Sequence, residues 1–119
     1  MKHFIDISNF ELKKLDSIIQ KAKQIKKNPK NFSNKCKNKT LGMIFQKDST
    51  RTRASFTVGF QKLGGNTIEL NSKSIGFGKR ESVEDILRTL AQFIDVLVIR
   101  NDDHEILNKL SSLNVLPII

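Results

Sequence analysis

The chain has 119 residues, 38% of them hydrophobic, and 21 Lys and Arg against 12 Asp and Glu give it a formal charge of +9. That length is about one domain, with apolar residues enough for a single core, and it is small for an enzyme that must hold two substrates. No apolar run approaches the roughly 20 residues of a membrane-spanning helix, and Met1-Lys2-His3-Phe4-Ile5-Asp6 lacks the apolar stretch of a secretory signal, so a soluble, cytoplasmic protein is expected.

Helical and strand patterns alternate along the chain. Ser8-Asn9-Phe10-Glu11 has the spacing of a capping box, and Leu12, Leu15, Ile18, Ile19, Ala22 and Ile25 follow at helical spacing, which predicts a helix over residues 9 to 27. Residues 40 to 45 do not alternate, as expected for a strand buried on both faces. From Thr50 to Leu63, the spacing of Phe56, Phe60 and Leu63 predicts one buried helical stripe, ended by Gly64-Gly65. A strand is expected at 66 to 70. Residues 71 to 80 are polar and contain glycine, so they read as an exposed loop of functional length. Ser82 caps a third helix with Glu84 and Asp85 in its first turn, and Val83, Ile86, Leu87, Leu90, Ala91 and Ile94 form its buried face. Val96-Leu97-Val98-Ile99 is a β-branched strand, Asp102 or Asp103 starts a short helix through Leu110, and Val115 to Ile119 is strand-like. This order predicts an α/β domain spanning residues 1 to 119, with a parallel sheet of about four strands and helices on both faces.

The positive charge is concentrated. Eight lysines fall between Lys21 and Lys39, and no acidic residue lies between Asp16 and Asp48. A basic stripe is the footprint of a phosphate-backbone binder. Here, however, Lys outnumbers Arg, Trp and Tyr are absent, and the Phe residues sit at core positions rather than on stacking platforms. A lysine-rich helix end followed by a solvated loop is the better description, and neither a nucleic-acid nor a membrane partner is expected. Cys36 is the only cysteine, so no internal disulfide forms, and His3 and His104 make no ligand cluster. No metal is implied.

The most informative stretch is Phe45-Gln46-Lys47-Asp48-Ser49-Thr50-Arg51-Thr52-Arg53, where a strand pattern ends and a helical pattern begins. Ser49 and Thr50 can cap the helix, first-turn N–H groups then face a ligand, and Arg51 and Arg53 offer donor forks that suit a phosphate. Ligands in parallel sheets bind beyond the carboxyl ends of the strands. That rule brings Arg100, at the end of the 96 to 99 strand, to the same crevice; the competing assignment is a surface ion pair with Asp102 or Asp103. No P-loop, no G-x-S-x-G elbow and no complete dinucleotide fingerprint occurs, because Gly76-Phe77-Gly78 lacks a third glycine.

These residues resemble the carbamoyl-phosphate motif of the aspartate and ornithine carbamoyltransferases, and Lys47 resembles the ornithine branch. Gln61-Lys62-Leu63-Gly64-Gly65, Gly78-Lys79-Arg80-Glu81-Ser82, and Val98-Ile99-Arg100 with Asp103-His104 occur in the family's order, so the similarity covers essentially the whole chain. The resemblance implies transfer of a carbamoyl group from carbamoyl phosphate to the δ-amine of ornithine, without a cofactor, in a homotrimeric enzyme. Aspartate is the alternative acceptor, and a non-catalytic assembly module the alternative role. Ser49, Thr50, Arg51 and Thr52 would hold the phosphate, supported by Arg53 and Lys47. Thr52 and Arg100 would meet the carbamoyl oxygen, and Arg51 and Arg100 would stabilise charge in the transition state.

Two departures accompany the resemblance. Family members usually carry a polar residue in the loop before the third helix where this chain has Gly76, with Ser74 or Lys79 as possible substitutes. They also continue past the position of Ile119 into a His-Pro-x-Gln motif and a second domain that binds the amino acid. The 119 residues are therefore expected to correspond to the first domain, with ornithine held only where a second domain is supplied and no turnover by the chain alone.

Overall fold

The computed structural model describes residues 2–75 and 81–119. At the start of the chain Asp6, not Ser8, supplies the side-chain acceptor. Its carboxylate takes the Ser8 N–H at 2.8 Å and closes a short 3-10 turn, Ile7–Asn9. A carboxylate is the stronger acceptor for a backbone N–H two residues on. Helix α1 begins only at Leu12 and runs Leu12–Lys27, with Glu11 at its N-cap and no side-chain cap bond. The expected Ser8 capping box is not formed.

The remaining elements are β1 Thr40–Phe45, α2 Thr50–Lys62, β2 Asn66–Leu70, a single turn α3 Ser72–Ile75, α4 Val83–Leu90, β3 Val96–Arg100 and α5 His104–Ser112. β1 lies between β2 and β3 and is parallel to both. Thr40 to Ile44 pair with Asn66 to Leu70, and Leu41 to Phe45 pair with Val96 to Arg100. Ser82 caps α4 by accepting the Asp85 N–H at 3.1 Å, as expected. The segment expected as a loop, 71 to 80, starts with α3; Gly76, Gly78, Lys79 and Arg80 lie outside the described residues.

The expected fourth strand is reduced to one parallel bridge, Leu97 to Ile118. Pro117 has no N–H, so it contributes only its carbonyl, which accepts from Leu97 N at 2.9 Å, while Ile119 N donates to Leu97 O at 2.9 Å. On the outer side of this segment Phe4 N donates to Ile118 O at 2.8 Å, so the N-terminal residues cover that edge.

Side chains of β1 and β3 alternate between two cores. Ile44, Leu97 and Ile99 face α4 and α5, where Leu87 and Leu110 meet Ile94, Leu116 and Ile118. Leu41, Met43, Phe45 and Val98 face α2, against Phe56 and Phe60. Helices thus cover both faces. The second face has the smaller cluster, and the stripe expected to be buried along α2, Phe56, Phe60 and Leu63, is only half-buried.

Two joints fix the frame. At the end of α2, Gly64 has φ +90°, and a Cβ there would lie 2.3 Å from the Ser33 carbonyl oxygen. That close approach lets Cys36 N donate to Leu63 O at 2.8 Å and pins the lysine-rich loop to the helix. At the N-terminal end of the sheet, the Asp95 carboxylate accepts from Lys39 Nζ at 2.7 Å and Thr40 N at 2.8 Å, while Asp95 N donates to Thr40 O at 2.9 Å. The Lys39 and Thr40 donors hold the Asp95 carboxyl below the usual carboxylate range.

Candidate active site

The opposite end of the sheet is built differently. Phe45 closes β1 and stands opposite Arg100, the last residue of β3, and Gln46 N donates to Arg100 O at 3.1 Å. The chain then turns through Asp48 to Ser49, the N-cap of α2, with φ −147° and ψ 73°. The Ser49 hydroxyl makes no cap bond, contrary to the expectation; its carbonyl accepts the first intrahelical bond, from Arg53 N at 2.9 Å. The N–H groups of Thr50, Arg51 and Thr52 have no acceptor among the described residues. Such open first-turn donors, at the positive end of a helix dipole, favour an anion.

The structure sorts the four nearby cations into two pairs. Arg53 is engaged: its Nε lies 2.8 Å from Glu69 Oε1, a second nitrogen lies 3.8 Å from Asp48 Oδ1, and the guanidinium stacks over the Phe45 ring at 5.4 Å. The Nε–H does not point along the line to Glu69, so this contact is an ion pair rather than a well-directed hydrogen bond. Lys47 is engaged as well, with Nζ 2.7 Å from Asp102 Oδ2, which ties the loop after β1 to the loop after β3. Arg51 and Arg100 are exposed and have no ion-pair partner among the described residues. The competing pairing of Arg100 with Asp102 or Asp103 is not made. Asp102 holds Lys47, and Asp103 caps α5 by accepting the Glu105 N–H at 2.9 Å.

A cavity of about 480 Å³ opens beside these groups, and Thr52 and Arg100 both stand on its wall with Phe45, Phe56, Val98 and Leu107. Ser49, Thr50 and Arg51 are not on that wall; they stand at the start of α2, at the same end of the sheet. A second cavity, about 590 Å³, lies towards β2, but Asp48 and Glu69 set two carboxylates against Arg53 and Lys73 there, which suits a dianion poorly. Asn101 also lines the first cavity and was missed in the sequence. Its Oδ1 accepts the Asp103 N–H at 2.7 Å, which leaves its enclosed Nδ2 without a partner. Its place directly after Arg100 at a strand end was the signal. Cys36 is remote from this crevice, near the far end of α2, and burial pushes its thiol above the ordinary value.

A parallel sheet flanked by helices, with ligand-facing groups gathered beyond the carboxyl ends of its strands, defines an open-sheet α/β domain of the kind that binds small molecules there. Residues 2–119 match the family described as aspartate/ornithine carbamoyltransferase, carbamoyl-P binding domain. The chain is 36% identical over 119 residues to the ornithine carbamoyltransferase of Shewanella oneidensis, covering all of this chain and 40% of that one. It is 37% identical over 121 residues to the enzyme of the same name from Campylobacter fetus, covering 39% of it. Among solved structures, the anabolic ornithine carbamoyltransferase of Campylobacter jejuni superposes with a TM-score of 0.91 at 33% identity, over all of this chain and 38% of that one. The catalytic subunit of the M. jannaschii aspartate transcarbamoylase superposes with a TM-score of 0.86 at 30% identity, over 40% of its chain. The chain belongs to the aspartate/ornithine carbamoyltransferase family and corresponds to its carbamoyl-phosphate-binding domain. It spans about 40% of the length of the curated relatives it matches.

Proposed function

We propose that the start of α2 and the end of β3 together hold carbamoyl phosphate, and that the domain serves carbamoyl transfer to ornithine in arginine metabolism. The observation that carries this is the sorting of cations: Lys47 and Arg53 are neutralised by carboxylates, while Arg51 and Arg100 are not. In this arrangement the phosphate lies on the N–H groups of Thr50 to Thr52, with Arg51 and the hydroxyls of Ser49 and Thr50 around it. The carbamoyl group lies towards the cavity shared by Thr52 and Arg100.

The chemistry follows from that placement. The neutral δ-amine adds to the carbonyl carbon, and the carbonyl oxygen gains negative charge. Thr52 Oγ1–H and the Arg100 guanidinium donate to that oxygen, where preorganised donors lower the barrier most. The C–O bond to phosphate then breaks, the departing phosphate oxygen takes up the proton released by the added nitrogen, and the resulting hydrogen phosphate dianion is held by Arg51 and the helix N-terminus. Citrulline and inorganic phosphate are the products.

Ornithine rather than aspartate as acceptor is supported by the names of the most similar relatives. Lys47 does not choose between them, since its pairing with Asp102 accounts for it as a brace between strand ends. The ornithine contacts come from the part of the family's chain outside the match, and a homotrimer in the cytoplasm is the assembly that the family resemblance favours. Among the described residues no helix is long and apolar enough to cross a membrane. Isothermal titration of the chain with fresh carbamoyl phosphate in the cold tests the proposal: saturable binding that Arg100→Ala abolishes supports it, and unchanged binding in that variant overturns it.

A further inference from the structure

Arg100 leaves β3 into Asn101-Asp102-Asp103, so two carboxylates follow it within three residues. An exposed arginine in that setting is placed to pair with one of them, since opposite charges a few ångströms apart attract even in water. Neither pair forms, and each carboxylate is engaged elsewhere. Asp102 Oδ2 lies 2.7 Å from Lys47 Nζ, and Asp103 Oδ1 accepts the Glu105 N–H at 2.9 Å as the N-cap of α5.

The residue between Arg100 and the two acids sets that division. Asn101 Oδ1 accepts the Asp103 N–H at 2.7 Å and closes an Asx turn, which sends Asp102 towards the loop after β1 and Asp103 towards α5. The turn comes with a cost: the enclosed Asn101 Nδ2 has no partner among the described residues, and an unpaired enclosed N–H is unfavourable. An aspartate at 101 would close the same turn with a stronger acceptor and no orphaned donor. It would also set a third carboxylate beside Arg100, on the wall of the cavity that both residues line. Of the two Asx side chains, only the amide turns the chain without adding charge there.

We propose that Asn101 is a positioning residue for the anion site: its turn holds Asp102 and Asp103 away from Arg100 and leaves that guanidinium to the substrate. The proposal rests on the reading of Arg100 as a ligand for carbamoyl phosphate. Without the turn, the loop reaches conformations in which a carboxylate pairs with Arg100, competes with the ligand and repels its phosphate. An exposed ion pair sets the scale of that competition at about fivefold in affinity, the equivalent of about 1 kcal/mol.

The test is a cycle of carbamoyl-phosphate titrations on four forms of the chain: the parent, Asn101→Ala, Asp102→Asn with Asp103→Asn, and all three substitutions together. Asparagine at 103 keeps a cap on α5 without the charge. Asn101→Ala is expected to weaken binding about fivefold in the parent and less than about twofold where both acids are neutral. A purely structural role gives equal losses in the two backgrounds, and that result, or no loss in the parent, would overturn the proposal. Nitrogen-15 NMR of the Arg100 Nε–H in the ligand-free chain reads the same event without substrate. Its exchange with water slows in Asn101→Ala and not in the form with all three substitutions; equal exchange in both would overturn the proposal. If the parent binds no carbamoyl phosphate, the proposed function fails while this comparison still judges the turn. Asn101→Ser, a neutral acceptor for the same N–H, keeps affinity within about twofold of the parent, and a fivefold loss there would count against the turn even if the alanine variant does not fold.

Discussion

Arg51 and Arg53 are two residues apart in one motif, and the structure gives them opposite surroundings. Arg51 has no carboxylate partner among the described residues and stands on the first turn of α2 beside the open N–H groups. On the proposed placement of the phosphate, replacing Arg51 with Ala removes charge-assisted hydrogen bonds, each contributing about 1.5 to 3 kcal/mol. At about 1.4 kcal/mol per decade that is a loss of roughly 10- to 150-fold in carbamoyl-phosphate affinity, with the lower end expected because the side chain is exposed. Arg53→Ala instead removes an ion pair to Glu69 whose side chains are 32% and 41% exposed, and a cation–π contact with Phe45. Its expected effect is a stability loss of about 0.5 to 1.5 kcal/mol with affinity within about threefold of the parent, since Glu69 and Asp48 left unpaired are largely screened at physiological salt. Urea denaturation and calorimetric titration on both variants separate the cases. If Arg53→Ala weakens the ligand as much as Arg51→Ala, the division of the motif into ligand-facing and bracing arginines is wrong.

Three further outcomes concern the frame that positions the site. Gly64→Ala forces a side chain into φ +90° and within 2.3 Å of the Ser33 carbonyl, so it should cost about 1 to 3 kcal/mol in urea unfolding; no measurable loss would contradict the close approach. Leu97→Ala, at a fully buried position between Ile44, Leu87 and Leu110, should cost about 2 to 5 kcal/mol. Asp95 is the group whose acid titration matters: its folded pKa is depressed, so its contribution is complete above the ordinary carboxylate value near about 3.9 and is lost as pH falls through the folded one. Asp95→Asn should therefore lower stability at neutral pH and flatten the acid limb of the stability curve, and an unchanged acid limb would remove Asp95 from the clamp.

The strands were legible because their signal is local. The non-alternating run at 40 to 45 coincides with β1, and 66 to 70 with β2. The start of α1 was misread because Asp6 and Ser8 compete for the same turn, and position alone does not say that the carboxylate wins. The C-terminal strand shrank to one bridge because Pro117 removes a donor from the ladder. At the site, the placing of Arg100 with the α2 start followed from topology and holds in the register of Phe45 with Arg100. The pairing of Arg53 with Glu69 was not legible, since it depends on Met43 standing opposite Glu69 across two strands far apart in sequence. Nor was Lys47 with Asp102, which joins two loops that only the assembled sheet brings together.

The central claim is where the anion sits, and amide chemical-shift mapping of the isotopically labelled chain during titration with carbamoyl phosphate tests it most directly. The expected result is saturable shifts largest at Thr50, Arg51, Thr52, Arg100 and Asn101, with little change across the lysine-rich segment from Lys21 to Lys39. Shifts concentrated in that lysine segment and removed by added salt, or no saturable shift at the start of α2, would contradict it.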